Sequence, residues 1–202
     1  MTVRDVLSDA RALGFLGPGP VDRHIVHAQE FARAVPVGPP GHVVDLGSGG
    51  GVPGLVLAHM WTDAELCLVE AGERRASFLE EAVARLGLRS RVRVIASRAE
   101  EVGRDPAFRA LADAVVARSF GPPGVTAECA GPLLRVGGHL IVSEPPEVTI
   151  ERWPEDSLAA LGLVPLVRST GEGGTVQVLR QVAPCPERFP RRRGVPAKRP
   201  LF

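Results

Sequence analysis

The segment that decides the fold is residues 43–54, with the sequence Val-Val-Asp-Leu-Gly-Ser-Gly-Gly-Gly-Val-Pro-Gly. A β-branched apolar run ends in an acidic residue, and a glycine-rich loop then leads into an apolar helical stretch that begins at Leu55. Three glycines of this loop can adopt positive φ and let a ligand lie against the backbone: Gly47, Gly49 and Gly51. The next apolar run ends at Glu70, 19 residues after Gly51, where a carboxylate can accept two hydrogen bonds from a ribose diol. The segment therefore predicts a nucleoside-binding β-α-β unit.

The spacing of the loop glycines indicates the kind of nucleoside. Dinucleotide-binding folds usually have G-x-G-x-x-G, whereas this loop has G-x-G-x-G with Asp45 two residues ahead of it. This arrangement resembles the S-adenosylmethionine loop of class I methyltransferases, whose ligand has no phosphate. We expect Asp45 to accept a hydrogen bond from the loop or to face the cationic part of the ligand. A purely structural glycine turn is the alternative in a chain with 23 glycines, but strand, loop, helix and second acidic strand end follow in order.

Length and composition indicate one globular domain, with 202 residues of which 45% are hydrophobic and 23% charged. No apolar run approaches the roughly 18 residues that a membrane span needs. Three scattered cysteines form no C-x-x-C pair: Cys67, Cys129 and Cys185. His24 and His27 lie one helical turn apart, but no third residue follows at metal-binding spacing. We therefore expect a reduced, cytoplasmic monomer with no metal site and no membrane association.

Hydrophobic periodicity predicts a helical segment at residues 1–40 and a domain of alternating strands and helices at 41–186, and a basic, proline-rich tail follows at 187–202. The resemblance of the glycine loop implies that the domain at 41–186 binds S-adenosylmethionine. Strands are expected at 42–46, 65–70, 91–96, 114–117 and 139–143. Helices are expected at 2–13, 22–35, 53–60, 73–86, 124–134 and 155–161. Two more strands, at 163–167 and 175–181, are close enough for an antiparallel pair. The pattern predicts an α/β fold with a Rossmann-like doubly wound sheet, mostly parallel and closed by a C-terminal antiparallel hairpin.

The tail concentrates basic charge. Residues 187–202 contain six basic and one acidic residue, whereas the rest of the chain has 18 basic and 22 acidic residues. The six cations are Arg188, Arg191, Arg192, Arg193, Lys198 and Arg199. Four prolines in the last 17 residues predict an extended tail rather than a helix. Such a tail favours contact with RNA phosphates, and salt bridges to the acidic body are the alternative.

Two further segments follow predicted strands and lie at the edge where open α/β sheets bind their ligands. After the third strand, Ala99 and Glu100 are candidates for contact with an adenine ring. The alternative for this segment is a capping box in which Ser97 caps a helix and Glu100 closes the box. After the fourth strand, Arg118 and Phe120 lie at the same edge, and a flexible structural arginine is the alternative there.

Taken together, these segments resemble the GidB/RsmG family, whose members methylate N7 of a guanine in 16S ribosomal RNA. The likeness covers roughly residues 20–202, and the matching segments are 22–25, 45–54, 74–79, 97–101, 117–120 and 188–196. The resemblance implies that S-adenosylmethionine contacts a set of residues drawn from these segments: Gly47, Val52, Ala99, Glu100 and Arg118. It also implies that Arg98, Arg118 and the basic tail face RNA phosphates or the target base, which makes both arginines the catalytic candidates.

The resemblance implies a mechanism without a general base, because guanine N7 is unprotonated and has an exposed lone pair. Two departures from the family leave other substrates open. The chain lacks the Asn-Leu-Thr segment of a longer N-terminal region, and it has Glu144 near the position of a usual lysine after the fifth strand. We expect an acidic residue there to weaken RNA binding. The alternatives are methyl transfer to another RNA or to a small molecule, and a nucleoside-binding module that does not catalyse.

Overall fold

A computed structural model describes residues 1–147 and 151–202 and shows a single seven-stranded sheet. The strands are β1 (His42–Leu46), β2 (Glu65–Val69), β3 (Val92–Ile95), β4 (Ala112–Ala117), β5 (Leu134–Glu144), β6 (Leu163–Gly171) and β7 (Gly174–Gln181). The helices are α1 (Val3–Ala12), α2 (Val21–Arg33), α3 (Gly54–Met60), α4 (Glu73–Arg85), α5 (Ala99–Val102), α6 (Pro123–Ala130), α7 (Glu155–Ala159) and α8 (Val195–Lys198). None of these helices is both long and apolar enough to cross a membrane.

The strand order places the glycine loop at the point where the sheet reverses direction. The order is β3-β2-β1-β4-β5-β7-β6, with β1 paired in parallel to both β2 and β4. The chain first moves outward from β1 to β3 and then crosses back to β4. In open α/β sheets the ligand binds outside the carboxyl ends of the strands at such a switch point. The antiparallel pairs β5–β7 and β6–β7 close the other edge.

Both faces of the sheet are covered, as expected for short strands that are apolar on both sides. On one face, Leu55 of α3 and Leu79 of α4 pack with Phe31 of α2 and with Leu66 and Leu68 of β2. On the other face, α5, α6 and α7 pack over residues such as Leu46 and Val115, and Phe189 of the tail joins this second core. Val43 and Val44, two successive residues of β1, belong to the first and the second of these cores, respectively. This double covering confirms the predicted α/β class.

The predicted elements are present, with some shifted boundaries. β5 begins at Leu134 rather than His139, because Leu134 pairs with Ala112 across an irregularity in the β4–β5 ladder. The helix expected at 124–134 ends at Ala130, and a 3₁₀ turn follows at Gly131–Leu133. Pro132 explains this ending, because proline has no N–H to continue the α-helical hydrogen bonds.

The tail differs from its prediction. The expectation of an extended conformation is wrong for Val195–Lys198, which form α8. The tail also packs on the body, since the side chain of Arg191 binds Glu128 of α6 through both carboxylate oxygens, with Nη2–Oε2 at 2.6 Å and Nε–Oε1 at 2.8 Å. Glu128 is completely buried, so its carboxylate requires a cationic partner. For Arg191, the alternative of a salt bridge to the body is therefore the one the structure shows.

Candidate functional site

A cavity of about 500 Å³ opens at the carboxyl edge of the sheet, between the glycine loop, the ends of β2 to β4 and the tail. Eight of the predicted site residues line it: Gly47, Gly49, Val52, Glu70, Arg98, Ala99, Glu100 and Arg118. These residues come from four separate segments of the chain, and the parallel register of β1 with β2 and β4 brings three of those segments to one edge. Asp45 and Gly51 do not line the cavity.

Glu70 is bound to the glycine loop across the cavity floor. Its Oε2 accepts a hydrogen bond from Gly49 N at 2.9 Å, and its Oε1 accepts one from Gly72 N at 2.7 Å. Arg75 adds an ion pair to Oε1 at 3.0 Å. Because each carboxylate oxygen has two lone pairs, Glu70 retains capacity for a ligand hydroxyl while it fixes the loop. The carboxylate expected at a ribose is thus also a structural part of the loop.

The loop requires glycine at positions where the backbone turns or is approached closely. Gly49 has φ of 56°, in the left-handed region, where an L side chain would be strained. A Cβ on Gly50 would stand only 2.8 Å from Leu16 Cδ2 and 2.9 Å from the Phe15 carbonyl oxygen. The segment before α2 therefore lies directly over the loop and forms one wall of the cavity.

Asp45 lies beneath the loop rather than in the cavity. Of its two expected roles, acceptor of a hydrogen bond from the loop or partner of the ligand's cationic part, the structure shows the first. Its Oδ2 accepts a hydrogen bond from Gly54 N at 3.0 Å and so ties the end of β1 to the start of α3. The side chain is fully buried, and burial raises the pKa of Asp45 to about 7. Gly51 is likewise internal, and a Cβ there would collide with the side chain of Leu55.

Arg118 is held in place by His24 of α2. Its Nη2 donates to His24 Nδ1 at 2.6 Å, and His24 Nε2 lies 3.2 Å from the Gly17 carbonyl oxygen. This pattern requires a neutral imidazole protonated at Nε2, and burial together with the charge of Arg118 lowers the pKa of His24. The alternative of a flexible arginine does not describe this side chain. His24, considered above only as a metal candidate, is instead its hydrogen-bond partner.

The segment after β3 contacts the tail. Glu100 Oε1 accepts a hydrogen bond from Gly194 N at 2.9 Å, so Glu100 does not cap α5. The capping-box expectation is shifted by one residue, because Glu101 Oε2 accepts from Ser97 Oγ at 2.8 Å and from Arg98 N at 3.4 Å. Glu101 lies at the third helical position after Arg98 and supplies one half of such a box, but the guanidinium of Arg98 has no acceptor for the other half.

A second cavity of about 380 Å³ lies beside the first, on the other side of a wall formed by Arg118, Ser119 and Phe120. Glu144 lines it and is buried, with Oε2 bound by Arg152 Nε at 2.8 Å and Oε1 bound by Trp153 Nε1 at 3.2 Å. Arg152 therefore pairs with the charge of Glu144, and the expected weakening of RNA binding by an acidic residue at this position stays a prediction.

Sequence reasoning missed several residues of the first cavity. Phe15, Leu16 and Gly17 line it from the Gly- and Pro-containing stretch between the helices expected at 2–13 and 22–35, where no site residue is predicted. Ala197 lines it from the tail, where the predicted contacts with the body are salt bridges of the basic side chains and not a contact with the cavity. The one available signal was Phe15, a large apolar residue within an otherwise turn-like segment.

Electrostatics and shape together fit a nucleoside with a cationic side group. Two buried carboxylates, Glu70 and Glu100, face the cavity together with the guanidinium of Arg118. Within residues 1–147 and 151–202, no three histidine, cysteine or acidic side chains come together as they would around a metal ion. The arrangement can bind and orient a nucleoside and hold a second molecule in the neighbouring cavity.

Comparison with known proteins points to one family. Residues 20–151 match the GidB family model, described as rRNA small subunit methyltransferase G. Ribosomal RNA small subunit methyltransferase G of Rubrobacter xylanophilus is 38% identical over 189 residues, which covers 88% of this chain and 72% of that protein. A putative O-methyltransferase from Klebsiella pneumoniae has a similar fold, with a TM-score of 0.62, 16% identity and 89% of both chains covered. A geranyl diphosphate methyltransferase solved in complex with SAM has a TM-score of 0.56 and 17% identity, with 78% of this chain and 85% of that chain covered.

Proposed function

The chain belongs to the rRNA small subunit methyltransferase G family, and on this premise we propose that it methylates N7 of a guanine in 16S ribosomal RNA, with S-adenosylmethionine as the methyl donor. The observation that supports this most directly is the arrangement at the carboxyl edge. A nucleoside-sized cavity and a second cavity lie on opposite sides of the Arg118 side chain. A methyl donor and a methyl acceptor require two such neighbouring spaces.

The residues of the first cavity fit S-adenosylmethionine. Glu70 retains one lone pair, on Oε2, for a ribose hydroxyl, and Gly47 and Gly49 leave the backbone open to the ligand. Ala99 and Glu100, which line this cavity, bind the adenine edge, and Val52 gives an apolar contact. Asp45 and Gly51 act on the cofactor indirectly, through the shape of the loop. When bound, S-adenosylmethionine supplies an electrophilic methyl group on a positively charged sulfur.

The chain's own contribution to catalysis is positioning. Guanine N7 has an exposed lone pair and needs no proton removed, so no general base is required. Arg118 is fixed by His24 between the two cavities and can donate to the guanine O6 beside N7. Arg98 is exposed at the rim of the first cavity, where it can bind a phosphate of the RNA.

The tail supplies the cations for the RNA backbone. Five of its six basic side chains are exposed: Arg188, Arg192, Arg193, Lys198 and Arg199. Arg191 is the exception, since its side chain is paired with Glu128.

A ribosomal RNA substrate also supports a cytoplasmic location. The Arg152–Glu144 ion pair offsets the charge that favoured a different substrate, so ribosomal RNA remains the preferred one.

Methyl transfer to unmodified small ribosomal subunits tests this proposal. We expect label from methyl-labelled S-adenosylmethionine to enter 16S rRNA, and nucleoside digestion with mass spectrometry to identify it as 7-methylguanosine. Arg118→Gln should lower the rate strongly, whereas Arg89→Gln is the control, because Arg89 is exposed before β3 and away from the carboxyl edge. Absence of label in rRNA, or label in another nucleoside, would contradict the proposal.

A further inference from the structure

We propose that the second cavity receives the target guanine and that Glu144 recognises its Watson–Crick edge. The inference rests on the proposed function and specifies how its substrate base is selected. Glu144 departs from the lysine expected near this position, so the recognition is a property of this chain rather than one implied by family membership. It makes Glu144 a determinant of base specificity.

The position of the cavity fits an acceptor base. It shares Arg118, Ser119 and Phe120 with the first cavity, which is the proposed S-adenosylmethionine site and is called the cofactor cavity below. A base inside the second cavity therefore lies next to the methyl donor. Its volume of about 380 Å³ accommodates one nucleobase. Phe120 and the buried Trp153 line it, and the half-buried Phe120 offers aromatic surface to a base that has left its stack.

Glu144 is fixed and retains hydrogen-bonding capacity. The side chain is only 2% exposed, and each carboxylate oxygen accepts one hydrogen bond, from Arg152 or from Trp153. Because each oxygen has two lone pairs, both can still accept a further donor. Guanine presents two adjacent donors, N1–H and the N2 amino group, whose parallel directions match the two oxygens of a carboxylate.

The order of groups around guanine matches the order of residues in the cavity. Along one side of the base the groups are N2, N1, O6 and N7. With N1 and N2 at Glu144, O6 is the next group along the base. Arg118 lies next to it, because Arg118 stands between the second cavity and the cofactor cavity. Arg118 uses Nη2 for His24 and has further N–H groups for O6. N7 is then the group nearest the cofactor cavity.

A carboxylate at this edge also favours the reaction itself. The N7 lone pair forms the new N–C bond, the electron pair of the broken C–S bond stays on the donor sulfur, and no proton leaves. Guanine therefore gains a positive charge, and its N1–H becomes a stronger donor. The hydrogen bond to Glu144 is consequently stronger after transfer than before it, which is the kind of interaction that raises the rate.

The proposal predicts a ranking of nucleotides. Adenine has an unprotonated N1, which the carboxylate repels, and hypoxanthine keeps N1–H but lacks the N2 amino group. GMP should therefore bind the protein loaded with S-adenosylhomocysteine roughly tenfold or more tightly than AMP, with IMP between them. The indole N–H signal of Trp153 in ¹H–¹⁵N spectra reports this binding, since this group donates to Glu144. The other of the two tryptophans, Trp61, is buried in the opposite core and serves as the internal reference.

Glu144→Gln should reduce the GMP preference over AMP to near unity, because the amide nitrogen opposes N1–H. Glu147→Gln is the matched control, since Glu147 is an exposed acid in the same segment. Equal shifts of Trp153 by GMP and AMP in the unaltered protein, no shift by GMP, or an unchanged preference in Glu144→Gln would each overturn the proposal. These outcomes are separate from failure of the proposed function, which appears as absence of methyl transfer to rRNA.

Discussion

At the scale of single residues, Asp45 shows how a group can shape a site without facing it. Its carboxylate is fully buried and accepts one hydrogen bond from Gly54 N, while Oδ1 has no partner among the described residues. Burial without a full set of partners disfavours the ionised form and raises the pKa from 3.8 to about 7. The loop junction is thus held by a carboxyl group that is costly to ionise.

This raised pKa of Asp45 predicts a pH-dependent free energy of unfolding. The unfolded chain ionises Asp45 near pH 4 and the folded chain only near pH 7. The stability that the protonated group contributes is complete below pH 4 and is lost as the pH rises to about 7. The loss is on the order of 4 kcal/mol. Urea unfolding of the protein and of Asp45→Asn should therefore diverge over this window, with the variant becoming relatively more stable as the pH rises. A difference independent of pH would contradict this account, since all other titrating groups are common to both.

Glu70 shows what the sequence could predict about the site and what it could not. Its position at the end of the second strand was enough to predict a carboxylate facing the ligand. Its bond to Gly49 depends on the parallel register that pairs Leu46 with Val69, and no local pattern specifies that register. His24 was missed as the partner of Arg118 for the same reason, because 94 residues separate them.

At the scale of elements, the strands, their mostly parallel arrangement and the closing antiparallel hairpin were predictable, and the packing of the tail was not. Apolar runs between glycine-containing turns mark β1 and β2 within a residue of their ends. The tail resembles an RNA-binding extension in composition alone. Its attachment depends on Glu128, which lies in an apolar helix, and on Arg109, whose guanidinium donates to four backbone carbonyls, among them Cys185, Pro186 and Phe189. Such contacts depend on tertiary structure.

Removal of the Arg191 side chain should detach the tail and weaken the cofactor site. Arg191→Gln leaves the buried Glu128 carboxylate without its cation, which costs about 3–5 kcal/mol. Since Gly194 binds Glu100 and Ala197 lines the cavity, S-adenosylmethionine affinity should fall as well. Thermal unfolding and titration calorimetry measure the two effects, with Arg192→Gln, an exposed neighbour, as the control.

A second change tests the cause of that instability. Adding Glu128→Gln to Arg191→Gln should recover part of the stability, because it removes the unpaired buried charge. Equal melting temperatures for Arg191→Gln and Arg192→Gln would show that the ion pair does not hold the tail.

At the scale of the whole molecule, the tail has some residues that pack on the body and others whose charges are free to bind RNA. The body has 18 basic and 22 acidic residues. The exposed tail cations lie beside the carboxyl edge, because Gly194 donates to Glu100 and Ala197 lines the cofactor cavity. The tail therefore has two chemically distinct sides. Its inner side, with Phe189 and Arg191, packs on the body, and its outer side offers the cations to RNA.

This division predicts how RNA affinity depends on salt. Neutralising Arg192, Lys198 and Arg199 as glutamines should leave S-adenosylmethionine affinity and thermal stability nearly unchanged, because all three side chains are exposed. The same variant should lower the slope of log affinity for 16S rRNA against log salt by roughly 2, since each lost phosphate contact with single-stranded RNA removes about 0.7. Arg89→Gln, which removes one cation remote from the carboxyl edge, should leave the slope unchanged. An equal slope for the triple variant and the unaltered protein would mean that the RNA backbone contacts another surface.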